Sequence, residues 1–157
     1  MDVVLVKYLH ILSSTFLFGT GVGTAFYLLL ISRQRDPAVV APVARLVVIA
    51  DWLFTATTII LQPLSGLYLA HRMGIALSTP WLYWSVVLFI LAALCWLPVV
   101  WLQMKLRDIA EAAAASGQQL LPLRYYQYLG AWAALGVPAL VSFLIVFYLM
   151  TAKPALG

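Results

Sequence analysis

One imidazole lies inside the first apolar stretch of the chain, KYLHILSSTFLFGTGVGTAFYLLLISR, between Lys7 and Arg33. At ~100° per residue, Ser13, Ser14, Leu17, Gly21, Thr24 and Leu28 share the helical face of His10. These side chains are mostly small and mildly polar, so the face leaves room beneath a titratable nitrogen. That spacing suits a single-histidine metal ligand, with Ser13, Ser14, Gly21 and Thr24 lining whatever carries the metal. A plainer reading of the same residues stays open, in which His10 is a neutral core histidine bonded to Ser13 or to a facing helix. Gly19 and Gly23 lie on the opposite face, four apart, a surface on which a second helix can approach closely.

A second polar pattern occupies the next apolar stretch. From Asp51, the residues Thr55, Thr58, Gln62 and Ser65 fall on one line of a helix, with Gly66 just beside it. A polar stripe along a membrane helix faces the bundle interior, because lipid leaves it unsatisfied. It reads either as interhelical hydrogen bonding or as one wall of a polar cavity or proton path with Asp51 as its ionisable member. Asp51 also has Arg45 and Arg33 as candidate partners. His71 lies roughly opposite the stripe, among Leu53, Ile60, Leu64 and Leu67, beside Arg72, and reads as an interfacial anchor. Pro63, Pro98 and Pro138 each remove one helical hydrogen bond inside an apolar stretch. Together they suggest helices bowed around a central space, or kinks that only shape packing.

The elements that position these residues follow from composition. Only 9% of the 157 residues are charged and 65% are hydrophobic, where a soluble domain carries roughly 25% charged. The chain is therefore expected to be an integral membrane protein, all-α, a single domain of four transmembrane helices spanning about 3–31, 43–70, 81–104 and 125–150. The first run is too long for a cleavable signal peptide, so a retained span is expected. Asp36-Pro37 reads as a helix cap and first helical residue, and Pro42 as a helix restart after a short surface turn. The third helix is expected to continue beyond the bilayer through Lys105, Arg107, Asp108 and Glu111 to Ser116-Gly117. Trp81, Trp84, Tyr125, Tyr126, Tyr128 and Tyr148 lie near span ends, where interfacial aromatics belong.

Arg33, Arg35, Arg45, Lys105, Arg107 and Arg124 fall on one side and Lys7, Arg72 and Lys153 on the other, six against three. The bias places the first and third loops in the cytoplasm and both termini outside, as in a plasma membrane. The same basic residues form no stripe with interleaved aromatics, so no nucleic-acid partner is expected. The single Cys95 reads as a small buried hydrophobe. No HExxH, CxxC, phosphate-binding glycine loop or Ser/His/Asp set occurs, which leaves hydrolytic and nucleotide chemistry without support.

The segments YLHILSSTFLFGTGVGTAF, VVIADWLFTATT, QPLSG and WLPVVWLQMKLRDIA resemble a bacterial family of predicted four-helix integral membrane proteins classed as a domain of unknown function. More distantly, the Leu-His start followed by small residues is similar to the first helix of the copper-resistance D and HemJ-like membrane proteins. That likeness implies haem b, carried over to His10, with Gly66 at the place of a second-helix glycine. The resulting expectation is a small haem b-binding, cytochrome-like or tetrapyrrole-associated redox protein. The alternative is a non-catalytic assembly subunit or a small-solute permease using the Asp51 stripe. The lipid bilayer is the expected partner in either case, with a second copy or another membrane subunit left open.

Overall fold

The computed structural model describes residues 2–154. Among them there is no strand, and the elements in order are α1 (Val3–Ser32), α2 (Pro37–Ala50), a π-helical segment (Asp51–Thr55), α3 (Ala56–Arg72), α4 (Pro80–Ala115) and α5 (Leu123–Ala152). The segments Val3–Ser32, Pro37–Arg72, Pro80–Ala115 and Leu123–Ala152 give four helices long and apolar enough to cross a membrane. In lipid every backbone N–H and C=O needs an internal partner, so apolar runs of this length close on themselves as helices.

The helix ends are written in the sequence. Asp2 caps α1, its carboxylate accepting from Val4 N at 3.0 Å. Asp36 caps α2, accepting from Ala38 N at 2.9 Å, with Pro37 in the first turn where its missing N–H costs nothing. Pro80 and Pro122 stand at the starts of α4 and α5. Past the ends of α3 and α4, Gly74 and Gly117 take the left-handed region at φ 66° and 69°.

Two expectations are corrected. Pro42 does not restart a helix: α2 begins at Pro37 and runs through it. The bond Pro42 removes would have ended on Ala38, in the first turn, where the carbonyl is exposed and can be solvated. Tyr125 is not an interfacial aromatic but is fully buried, its hydroxyl bonded to Ser32 Oγ at 2.7 Å. Among the described residues no atom lies within 4 Å of a Cβ added at Gly19 or Gly23, so this face is left uncovered.

The most extensive interface joins α4 and α5; α2 packs on α4 and α1, whereas α3 packs mainly on α1. The second span thus changes partners across the π-helical segment. The apolar core lies toward the end carrying the α1–α2 and α4–α5 loops, here the loop end. It is built on Leu28, Val40, Ala44, Leu106, Tyr125 and Trp132. The opposite end, with both termini and the α3–α4 turn, is the terminal end.

Candidate functional site

His10 lies in the α1–α3 interface, and α3 supplies its surroundings. Its Nδ1 is 2.7 Å from Ser65 Oγ. Ser65 already donates its one hydroxyl hydrogen back to the Leu61 carbonyl, as serines in membrane helices commonly do. A Ser65 hydroxyl so engaged can accept from the Nδ1–H tautomer of His10, the form that leaves the Nε2 lone pair free. Among the described residues nothing hydrogen-bonds Nε2. Gly66 lies under the ring edge: a Cβ there would stand 3.3 Å from His10 Cε1.

One turn away, the Gln62 amide donates to His10 O at 2.8 Å and to Ser13 Oγ at 2.6 Å. The Ser13 hydroxyl in turn donates to His10 O at 3.1 Å. Five residues that the sequence put on two separate faces (His10, Ser13, Gln62, Ser65 and Gly66) thus form one cluster. Ser14 stays near it, lining with Leu17, Gln62, Phe89 and Phe143 a cavity of about 40 Å³. Gly21 and Thr24 do not join: Gly21 is exposed, and Thr24 spends its hydroxyl on Thr20 O of its own helix at 2.7 Å.

The Asp51 stripe turns inward as its phase requires. Asp51, Thr55, Thr58 and Gln62 are buried, while Leu53, Ile60, Leu64 and Leu67 are exposed, as is His71. Asp51 pairs with neither Arg45 nor Arg33. Its carboxyl accepts from Trp96 Nε1 on α4 at 3.1 Å, and Arg45 instead reaches Glu111 at 2.7 Å. Asp51 also opens the π-helical segment, where Ala56 N bonds Asp51 O across a wider turn. Thr55 lies close to this carboxyl, yet its buried hydroxyl has no partner of hydrogen-bonding geometry among the described residues. Such single π turns recur where a side chain must be re-aimed. Periodicity at 100° per residue cannot reveal one, and an indole does not advertise itself as a carboxyl partner.

The cavity beside Ser14 and Gln62 is small. The 40 Å³ void holds a water or two, far below the roughly 300 Å³ at which small-molecule pockets begin. That void cannot enclose a porphyrin. No group of three or more His, Cys, Asp or Glu positioned to share a metal ion exists among the described residues, so His10 would act alone from this chain.

Comparison with known proteins gives a family. No curated protein matches the chain, and no solved structure does. The distant likeness to copper-resistance D and HemJ-like proteins thus has no counterpart in these comparisons. One family model, described as a predicted integral membrane protein, matches residues 4–154. With nearly its whole length covered, the chain belongs to the DUF2269 family of predicted integral membrane proteins.

Proposed function

We propose that the protein presents His10 as a ligand to a b-type haem, as a small membrane redox protein. The observation that carries this reading is the 2.7 Å contact between His10 Nδ1 and Ser65 Oγ. Ligating histidines donate their other ring N–H to a fixed acceptor, which orients the ring and raises its basicity. Ser65 is such an acceptor, already committed by its own back-bond. Bound haem would supply one-electron chemistry, and the chain would fix the ring and its depth. Lys7 and Arg72 at the terminal end are placed to neutralise propionates near the interface.

The test is spectroscopic. Protein expressed with ample haem should show a Soret band, lost in His10→Ala and kept in His71→Ala. Ser65→Ala should leave haem bound but shift its reduction potential, since only the tautomer lock is removed. Wild-type protein that neither copurifies with haem nor takes it up would end this reading. The bare Gly19–Gly23 face then favours the second one, a non-catalytic assembly subunit that docks a partner helix there.

The proposed orientation, termini outside and loop end in the cytoplasm, rests on the six-to-three basic bias. In a Cys95→Ala background, cysteines at Gln34 and Gln118 should resist an impermeant thiol reagent in intact cells, and one at Ser78 should react. Labelling in the reverse pattern overturns it.

A further inference from the structure

A second cavity, of about 380 Å³, opens at the loop end between the last turn of α1 and the first turns of α5. Leu29, Ser32, Arg33, Arg35, Tyr126 and Leu129 line it. The two guanidiniums are uncompensated. Among the described residues the ion pairs are Arg45–Glu111 and Arg107–Asp108, and neither Arg33 nor Arg35 donates a side-chain hydrogen bond. The nearest carboxylate in sequence, Asp36, is already engaged by Ala38 N as the cap of α2.

The backbone holds one of these arginines in place at a cost. Arg35 takes φ 63°, the left-handed region that favours glycine and disfavours any residue with a Cβ. Its carbonyl accepts from Leu121 N at 2.9 Å, which ties the α1–α2 loop to the α4–α5 loop. The Tyr126 hydroxyl donates to Ser32 O at 3.1 Å, closing the back of the pocket. The result is a fixed recess with two planar cationic forks at its mouth. One turn toward the bilayer on α1 and α5 stand two leucines. The negative end of the α1 dipole opposes an anion there, but by a fraction of what two arginines contribute.

We propose that this recess binds the phosphate of an anionic lipid. Arg33 and Arg35 hold the phosphate oxygens, and Leu29 and Leu129 flank the first carbons of the acyl chains. A guanidinium fork matches a phosphate in bidentate fashion, and the site sits at the depth where headgroups lie. Free inorganic phosphate shares the recognised chemistry, so the test must separate the two.

The full chain in neutral-detergent micelles is titrated with phosphatidylglycerol, phosphatidylcholine or inorganic phosphate while thermal unfolding is followed. Phosphatidylglycerol should raise the midpoint saturably, and phosphatidylcholine should not. Arg33→Gln/Arg35→Gln should raise the half-saturating amount by roughly 30-fold and Arg35→Gly by about fivefold, at ~1 kcal/mol per arginine. Arg35→Gly guards against a folding artefact. Glycine accepts φ 63° without strain, so this variant should be no less stable than wild type in the absence of lipid. Arg45→Gln/Arg124→Gln, which removes the same charge elsewhere, should respond like wild type. A shift produced equally by inorganic phosphate would assign the pocket to the free ion instead of the lipid. No shift with phosphatidylglycerol, or an equal loss in the Arg45/Arg124 control, overturns the site.

Discussion

The two ends of this bundle differ in how completely their helices close on one another. At the loop end Leu28, Val40, Ala44, Leu106 and Tyr125 are closed off almost completely and interlock across α1, α2, α4 and α5. At the terminal end Val6, Leu17, Leu69, Leu82 and Leu149 are buried beside Ser13, Thr58, Gln62, Ser85 and Ser142, but most of the surrounding side chains are open. The loop-end core reaches past Lys105 to Leu106 and Ala110, where charged residues line the helix and water is the alternative, so it gains by hydrophobic transfer as well as by close fit. Hydrogen bonds between helices, averaging about 0.6 kcal/mol each inside membranes, run at both ends: Ser32 to Tyr125, Gln103 to Val47 O and Trp132 to Gln103 at the loop end. The terminal end has His10 to Ser65 and Gln62 to His10 O and Ser13 Oγ. It also contains the 40 Å³ void, and there α3 leans on α1 with little from α4 or α5. The difference says which end can rearrange. A structural anchor belongs where packing is complete, and a ligand-bearing pair of helices belongs where it is not.

The largest effect should come from the packed end. Leu106 is 0% exposed among α2, α4 and α5 neighbours, and Leu106→Ala removes contacts that nothing can refill. A loss of about 2–5 kcal/mol is expected from comparable core truncations. Reversible unfolding in mixed detergent micelles reads it directly. A loss under about 1 kcal/mol would mean the loop end closes around the gap, and the contrast between the ends would fail.

The middle of the second span is where the two ends meet, and Trp96 tests it. Its indole N–H is the one donor to Asp51 that meets hydrogen-bond geometry among the described residues. Trp96→Phe keeps the ring but strands a buried carboxyl, for an expected cost of about 1–3 kcal/mol. Asp51→Asn keeps an acceptor for the indole and should lie within about 0.5 kcal/mol of wild type, a typical net value for one bond. An Asp51→Asn variant as damaged as Trp96→Phe would show that the carboxyl itself has a partner beyond the indole.

Much of this was legible from the residues alone, and the remainder failed for nameable reasons. Apolar run length set the four spans, and Asp36-Pro37 and Gly117 set helix ends, because those signals are local. The inward phase of Asp51, Thr58 and Gln62 was legible because a membrane helix has one alternative to its interior, which is lipid. The His10–Ser65 contact was not. Periodicity assigns a face to each residue of one helix but carries no register between helices that are 55 residues apart. The helix through Pro42, the π turn at Asp51 and the burial of Tyr125 share another cause. In each, a tertiary contact or a solvated end overrode a local preference. Arg33 and Arg35 were read for membrane orientation, and only the fold shows that they also line one recess.

At the terminal end a single change should cost less. Gln62→Leu removes the two amide bonds to His10 O and Ser13 Oγ. Ser13 still donates to His10 O, so the damage is confined to about 1 kcal/mol, roughly two membrane hydrogen bonds. The same unfolding assay applies. If Gln62→Leu costs more than Leu106→Ala, the terminal end is the rigid one and the comparison is inverted.

Gly66→Ala should have the smallest effect on stability and the sharpest effect on the site. Alanine is favoured over glycine in a helix by up to about 1 kcal/mol. Against that, the new Cβ would lie 3.3 Å from His10 Cε1, close enough that the ring must shift by a few tenths of an ångström. Moving one ring edge that little costs far less than overpacking a closed core, which runs about 1–3 kcal/mol, because His10 is only half-buried. The two terms nearly cancel, and the unfolding midpoint should barely move. The ring cannot shift, however, without changing its 2.7 Å contact with Ser65, which bears on which nitrogen carries the proton. Nitrogen NMR of the imidazole should therefore show the Nδ1–H form dominant in wild type and a mixture of tautomers in Gly66→Ala. An unchanged tautomer alongside an unchanged midpoint would show that Gly66 merely fills space, and that the ring is held by Ser65 alone.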